Sequence, residues 1–296
     1  MKKNFFFYLF IIVINNALVC QNFLLDGEYP FQEDSMLEEM KIHGNTIILD
    51  YKDAFSKKKD EELTFEIKYI DGLTFLEISE KMPKEIAEYK NWKNQKELIQ
   101  TNNKILFLAC QRNCYTLMFA FTEGYSFDNS PLTRTRYDEW GSQYTDCSSY
   151  LIEKSKSYPV ENLRKLVVDT PWVEAGDGDG IGEGFTIKCT SRSEPLGPYL
   201  LIMNGYISYD KPYLYKQNNR VKKIKVSGLK SKKTKILDLL DTPHPQTVDI
   251  SFFTIPEDIR IEIADVYKGT KYNDTCLHYC INFNEEVIPY ENSIDE

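Results

Sequence analysis

Residues 168–187 read V-D-T-P-W-V-E-A-G-D-G-D-G-I-G-E-G-F-T-I, and this stretch decides the fold. Its pattern is a strand end, an Asp-Thr-Pro turn, a tryptophan close to an acid, a glycine-rich loop and a new strand. Five glycines lie in the loop, at positions 176, 178, 180, 182 and 184. Because glycine adopts backbone angles closed to other residues, the loop can turn tightly or approach another surface closely. We therefore treat the loop as a candidate site.

Three known ligand-binding loops do not fit this sequence. The dinucleotide fingerprint G-x-G-x-x-G needs glycines at both even and odd positions, whereas all five glycines here are at even positions. A phosphate-binding P-loop ends in Gly-Lys-Ser/Thr, whereas Gly184 is followed by Phe185. An EF-hand beginning at Asp177 would have Ile181 at its fifth position and Lys188 where a bidentate glutamate is required.

The acids of the loop leave two interpretations open. They can face water, as acids in surface loops usually do. They can also form an irregular calcium site with backbone carbonyls. The carboxylates concerned are those of Glu174, Asp177, Asp179 and Glu183. We expect no cofactor, with structural calcium as the alternative.

Residues 1–20 are typical of a secretory signal peptide. Lys2 and Lys3 precede the apolar run F-F-F-Y-L-F-I-I-V-I, and small or polar residues follow before Cys20. The run is too short to cross a bilayer, and no second apolar segment is long enough. We expect an exported protein, at the cell surface, in the periplasm or secreted. It is either a lipoprotein modified at Cys20 or is cleaved nearby and soluble.

The net charge of −9 argues against nucleic acid as a partner, because the phosphate backbone selects a basic surface. One local run of cations qualifies this expectation. Such a run is typical of the solvated face and turn of a hairpin. Its members are Arg220, Lys222, Lys223, Lys225, Lys230, Lys232, Lys233 and Lys235.

The cysteines of an exported chain are expected to pair. Seven are present, and six remain when Cys20 is set aside. The scattered histidines His43, His244 and His278 and the C-x-x-x-C spacings do not match a zinc site, which makes disulfides the better interpretation. Cys110 and Cys114 could close a hairpin, and the other four could tie together the first and last strands of the second half. The candidates are Cys110, Cys114, Cys147, Cys189, Cys276 and Cys280.

Residues 21–143 are predicted to form a smaller, mainly antiparallel β domain that ends in a linker. Strands are indicated by β-branched and aromatic runs at 46–51, 64–70, 73–78, 105–110 and 115–121. Asp71-Gly72 is a strong hairpin signal, since both central positions of a primed turn need positive φ. Residues 84–100 indicate a surface helix, and 126–143 a polar linker. Either a small barrel or an open meander fits, and its core is either packed or holds a ligand.

Residues 144–284 show regular strand spacing. Ile259, Ile261 and Ile263 alternate with polar residues, and the same period of two recurs at 223–226 and 248–252. Such patterns, interrupted by Pro, Gly and Asn, indicate an antiparallel jelly-roll sandwich. No catalytic residue is predicted, because neither His244 nor His278 lies near a nucleophile motif. An acidic tail follows at 285–296.

Five blocks in this half carry a resemblance to a known family. They are P-W-V-E-x-x-x-x-x-G-I-G-E-G at 171–184, N-G-Y at 204–206, N-N-R-V-K-K-I at 218–224, D-T-P-H-P-Q at 241–246, and V-Y-K-G-T-K-Y-N-D-T-C at 266–276. In this order they resemble the discoidin-like, galactose-binding-like glycan-binding domain of the translocation region of streptococcal NAD glycohydrolases. The resemblance covers about 147–283. Nothing in the chain resembles the NAD-cleaving domain of those toxins.

A glycan-binding sandwich needs rings to face a sugar and polar groups to hold its hydroxyls. Tyr206, Tyr272 and Asn218 are among the groups that supply this chemistry. The residues predicted to bind glycan are Trp172, Glu174, Glu183, Asn219, Arg220, Tyr267, Lys271 and Asp274. For Trp172 a core position is the alternative, and Arg220 could form an ion pair with Glu183 or Asp241.

The sequence thus predicts an exported, non-enzymatic, all-β protein whose C-terminal sandwich binds a glycan or a glycosylated partner at a cell surface. One alternative is a module that binds a protein and is structural. Another is an enzymatic or ligand-binding N-terminal domain that the sandwich targets.

Overall fold

The computed structural model describes residues 27–30, 37–51, 61–78, 105–110, 116–120, 142–154, 156–165, 168–284 and 286. Within these ranges the regular secondary structure is almost entirely β, as predicted. The signal peptide with Cys20, the predicted helix at 84–100, Cys114, residues 126–141 of the linker, and all of the acidic tail except residue 286 lie outside them. None of the helices in the described ranges is long and apolar enough to cross a membrane.

The described residues of the N-terminal half form a seven-stranded antiparallel sheet whose strands pair in chain order. At the predicted hairpin, Asp71 has φ of 53° and Gly72 has φ of 87°, which confirms the primed turn. The strands are β1 (Gly27–Pro30), β2 (Leu37–His43), β3 (Thr46–Tyr51), β4 (Glu61–Ile70), β5 (Leu73–Ile78), β6 (Ile105–Cys110) and β7 (Thr116–Ala120).

The C-terminal half begins at β8, whose first residue, Gln143, was expected to end the linker. A 3-10 helix spans Val160–Arg164 and a single-turn helix, α1, spans Leu214–Gln217. The strands are β8 (Gln143–Thr145), β9 (Ile152–Glu153), β10 (Lys156–Ser157), β11 (Trp172–Val173), β12 (Gly184–Lys188), β13 (Tyr199–Asn204), β14 (Asn219–Gly228), β15 (Thr234–Asp238), β16 (Gln246–Asp249), β17 (Ile259–Tyr267) and β18 (Thr275–Phe283).

These strands form a mixed, mostly antiparallel sandwich. One layer has the order β16-β13-β18 and the other β14-β17-β12-β8, with β11 paired to β18 and β15 paired to β14. Strand β14 joins the layers, because its first two residues pair in parallel with β18 before it continues beside β17. The main core lies between the layers and takes residues from both, such as Ile202 and Ile261.

The predicted alternation is confirmed in β17, where Ile259, Ile261 and Ile263 are buried and the residues between them are partly exposed. Gly184 lies on the neighbouring strand β12, and a Cβ there would overlap the Ile261 carbonyl. The last glycine of the loop is therefore required for strands β12 and β17 to approach each other closely.

The layer formed by β13 and β18 is buried on both faces. Leu200 and Ile202 point into the main core, whereas the alternating residues Leu201 and Met203 belong to a second cluster. That second cluster also contains Leu73 and Phe75 of strand β5. The hairpin formed by β4 and β5 therefore covers the outer face of the sandwich.

The four described thiols of the C-terminal half are unpaired, which contradicts the disulfides predicted among them. Cys276 and Cys280 are four residues apart on β18, a separation of about 13 Å, and this exceeds the roughly 7 Å that a disulfide can bridge. The thiols of Cys147 and Cys189 instead donate to the nearby carbonyls of Ser149 and Ser191. The predicted partner of Cys110 is outside the described residues, so that pair stays a prediction.

Candidate functional site

Trp172 does not form the stacking platform that the sequence suggested. Its side chain is 1% exposed and meets the Phe185 ring edge-on, with the ring centroids 5.4 Å apart. The indole Nε1 donates to the Ser149 carbonyl at 3.0 Å. Because strand β11 pairs with β18, it carries this ring into the main core, where no sugar can reach it.

The acids of the glycine-rich loop hold the loop in place. Glu174 is 1% exposed, and its carboxylate accepts from the backbone N–H groups of Thr275 at 2.9 Å and Gly176 at 2.7 Å. Burial raises the pKa of the Glu174 carboxyl, and these two donors oppose that rise. Glu183 accepts from the Ser149 hydroxyl at 2.6 Å. Both acids therefore bond to groups of the protein itself, and the Glu174 side chain is closed off from solvent.

Asp179, in the same loop, forms an ion pair with Lys268. That contact lowers the pKa of the Asp179 carboxyl. Among the described residues, no three His, Cys, Asp or Glu side chains are grouped in a way that could hold a metal ion. Calcium binding by the loop stays a prediction.

Two more predicted site residues are buried and bonded within the protein. Asn219 donates to the Asn273 carbonyl at 2.6 Å and accepts from Gly269 N–H at 2.7 Å. Arg220 forms a bidentate pair with Asp241, at 2.6 and 2.9 Å. Burial opposes the charge of Arg220, but the contact with Asp241 outweighs it, so the pKa of the guanidinium lies above its ordinary value. The alternative of an ion pair with Asp241 is therefore the correct one.

The remaining predicted residues lie at the surface. Tyr267 donates its hydroxyl to the Leu239 carbonyl at 2.9 Å. The ammonium of Lys271 lies over the Tyr272 ring, 4.8 Å from its centroid. Asp274 is half-buried and lines a cleft.

This cleft has a volume of about 770 Å³ and is formed by four segments that are distant in sequence. They are the β9–β10 hairpin with its flanking residues, the segment that leads into β11, the connection from β13 through α1, and the residues that lead into β18. The backbone joins them, since Leu151 N–H donates to the Val173 carbonyl and Gly205 N–H to the Cys276 carbonyl. An apolar cluster forms the cleft floor: Leu151, Tyr158, Val173, Tyr206, Leu214 and Cys276.

The polar centre of the cleft is a lysine placed on two tyrosines. Lys156 Nζ donates to the Tyr206 hydroxyl at 3.1 Å, and this hydroxyl donates to that of Tyr158 at 3.3 Å. The same ammonium lies 5.1 Å from the Tyr158 ring centroid and 5.8 Å from that of Tyr206. Burial raises the pKa of both tyrosine hydroxyls, so both stay protonated at neutral pH. Tyr206 donates its proton to Tyr158, so the Tyr158 hydroxyl is the one whose proton can be given to a ligand.

Charges of both signs surround this centre. Burial raises the pKa of the Asp274 carboxyl, and the nearby charge of Glu153 adds to the rise. Burial likewise raises the pKa of Asp169, which a hydrogen bond from Ser208 partly offsets. The other charged residues that line the cleft are Lys154, Lys156, Asp210 and Lys211. Half-buried acids and ammonium groups together can hold several hydroxyls of one polar ligand.

The sequence predicted only part of this cleft. Of the eight residues predicted to bind glycan, Asp274 alone lines it, together with Tyr206, Tyr272 and Asn218, which the same chemistry had suggested. Lys156, Tyr158 and Tyr213 were missed. The tyrosine-rich segment Y-I-S-Y-D-K-P-Y at 206–213 is the signal that could have indicated Tyr213, whereas no comparable signal surrounds Lys156 and Tyr158.

A β-sandwich with a cleft between its end loops, an apolar floor and a polar rim is the architecture of a binding module. The family model of the NAD glycohydrolase translocation F5/8 type C domain matches residues 136–284. The chain belongs to this family, which confirms the resemblance drawn from the five sequence blocks. Comparison with curated proteins gave no match, and comparison with solved structures gave none either. The discoidin-like domain is thus a carbohydrate- or protein-binding module.

Proposed function

We propose that the chain is an exported, non-enzymatic, cell-surface protein that binds carbohydrate in the cleft around Lys156. The observation that carries the proposal is the arrangement of Lys156, Tyr158 and Tyr206, an ammonium and two hydroxyls above an apolar floor. A pyranose has one apolar C–H face and a rim of hydroxyls, so it needs both an apolar wall and a few polar anchors.

The rim of the cleft supplies the remaining groups that such a ligand needs. The Tyr213 side chain is 42% exposed and Tyr272 is partly exposed, so both rings can meet a sugar. Asp274 lines the same rim, and burial raises its pKa. A sugar hydroxyl that donates to this carboxylate would offset the cost of its partial burial.

The cysteine in the cleft floor supports binding rather than covalent chemistry. Cys276 is fully buried, and burial raises the pKa of its thiol well above the ordinary value. The thiolate is the nucleophilic form of cysteine, so this residue is unreactive at neutral pH.

Export is supported by the signal-peptide pattern at residues 1–20 and by a family whose name refers to translocation. The form in which the protein reaches the surface, lipid-anchored at Cys20 or soluble, is tested separately. Mass measurement of the mature N-terminus distinguishes a diacylated cysteine from a free one.

The test of the proposed function uses a printed array of galactosyl, N-acetylglucosaminyl, mannosyl, fucosyl and sialyl oligosaccharides. The full chain is compared with Tyr213→Ala and with Tyr150→Ala, a tyrosine of matched exposure, 43%, that does not line the cleft. We expect Tyr213→Ala to weaken retention about tenfold, since an aromatic contact of roughly 1.4 kcal/mol corresponds to that factor. Tyr150→Ala should bind as the parent does.

Three results would count against the proposal. Retention of no sugar by the folded parent, with capture of one defined protein from surface extracts, favours the protein-binding alternative. Equal loss in the two tyrosine variants removes the cleft from consideration. Hydrolysis of a glycan by the chain, lost in Asp274→Asn, would make it an enzyme.

A further inference from the structure

The connection from β13 to α1 separates the cleft from the N-terminal hairpin. Along residues 206–215 the side chains divide between these two neighbours. One set lines the cleft: Tyr206, Ser208, Asp210, Lys211, Tyr213 and Leu214. The other set packs in the cluster that contains Leu73 and Phe75 of strand β5: Ile207, Tyr209 and Tyr215. We call residues 206–215 the cleft wall.

The hairpin contacts the cleft wall through two interactions at Tyr209, and it also lies against the next residue of helix α1. The rings of Phe75 and Tyr209 meet edge-on, with centroids 5.2 Å apart. The Tyr209 hydroxyl donates to the Glu77 carboxylate at 3.2 Å. At the hairpin turn, a Cβ on Gly72 would lie 3.7 Å from Lys216 Cε, so the turn touches helix α1 as well.

The cleft wall has little regular structure of its own. Residues 205–213 belong to no strand or helix, so no ladder of backbone hydrogen bonds fixes them. Individual contacts hold the wall instead, such as the bond from Asp169 N–H to the Ile207 carbonyl. Segments with few backbone bonds open more readily than strands, unless side-chain packing restrains them. Leu73 and Phe75, 1% and 0% exposed, supply such packing from behind.

We infer that the β4–β5 hairpin of the N-terminal domain is the support that positions the cleft wall, and so sets the affinity of the cleft. The N-terminal domain, whose function the sequence did not predict, thereby becomes part of the ligand-binding unit. The predicted effect of the hairpin on ligand affinity rests on the proposed function. Its predicted effect on the stability of the cleft wall does not.

The experiment measures amide hydrogen exchange of the full chain without ligand. Phe75→Ala should speed exchange in residues 206–215 about tenfold, while β17 stays protected, because only the wall loses its packing. Tyr209→Phe removes the hydroxyl that bonds Glu77, and Glu77→Ala removes the same bond together with an ion pair to Lys68 within the hairpin. Each should give about a threefold increase. Glu66→Ala is the matched control, since Glu66 faces Glu77 across the hairpin and its carboxylate pairs with Lys68. It should leave the wall unchanged.

Unchanged exchange of the wall in Glu77→Ala and Tyr209→Phe, with both proteins folded, would overturn the inference. These two variants decide the question even if Phe75→Ala fails to fold. The same oligosaccharide array then tests the consequence for ligand, with weaker retention expected in the three variants and parent retention in Glu66→Ala. Faster exchange combined with no sugar binding by the parent would support the positioning role and count against the proposed carbohydrate function.

Discussion

Replacing Trp172 with alanine tests whether this ring belongs to the core or to a ligand site. The indole is 1% exposed, packs against Phe185 and donates to the Ser149 carbonyl. Removing a fully buried tryptophan typically lowers the free energy of unfolding by about 3 to 5 kcal/mol. The lost hydrogen bond adds little, because the Ser149 carbonyl still accepts from the Cys147 thiol at 3.2 Å.

Trp172→Phe is a milder substitution at the same position. It keeps a ring beside Phe185 and loses only the Nε1 donor and part of the volume. We expect it to lower the free energy of unfolding by about 1 to 2 kcal/mol, the usual range for a smaller core substitution together with one lost hydrogen bond.

The assay is urea unfolding followed by far-UV circular dichroism, with hydrogen exchange of β17 amides to assign the transition to the sandwich. If Trp172 is a core residue, both variants are less stable than the parent, and Trp172→Ala loses more stability than Trp172→Phe. A loss below about 1 kcal/mol in Trp172→Ala, the range of ordinary surface changes, would refute this reasoning. If Trp172→Ala loses sugar retention but keeps its stability, the ring belongs to the ligand site and not to the core.

Three further predictions concern titration, thiols and the domain boundary. Burial lowers the pKa of His244 to about 4, so between that value and its unfolded pKa near 6.5 the unfolded chain binds more protons, and stability should fall by about 1 to 2 kcal/mol from pH 7 to pH 5. His244→Gln should reduce that fall in melts run at both pH values, and an identical pH dependence would contradict the lowered pKa of this partly buried imidazole. Cys276 and Cys280 are buried, so they should resist iodoacetamide in the native protein and react with it after unfolding without reductant. Mass measurement of the alkylated protein checks this. If alkylation requires reductant, the two cysteines are paired in disulfides. A fragment of residues 142–284 should melt cooperatively but at a lower temperature than the full chain, because Leu201 and Met203 lose the cover of the hairpin; an unfolded fragment would mean that the two halves share one indispensable core.

The sequence by itself determined the strands and their faces. Ile259, Ile261 and Ile263 had to share one side of a strand, because successive side chains of a strand point to opposite faces. Asp71-Gly72 specified its turn for an equally local reason, the positive φ that both positions adopt. The five ordered blocks identified the family, and the family match extends over residues 136–284.

Only the tertiary structure decided which polar and aromatic side chains are free to meet a ligand. Trp172, Glu174 and Arg220 have the chemistry of a sugar site, but the fold buries all three and pairs them with Phe185, the Thr275 backbone and Asp241. The cleft is assembled from segments near residues 151–158, 169–173, 206–218 and 272–276. Its wall at 206–215 is backed by a hairpin more than 100 residues earlier in the chain. The sequence states the type and spacing of every side chain directly. The exposure of a side chain depends instead on which distant segments the fold packs over it.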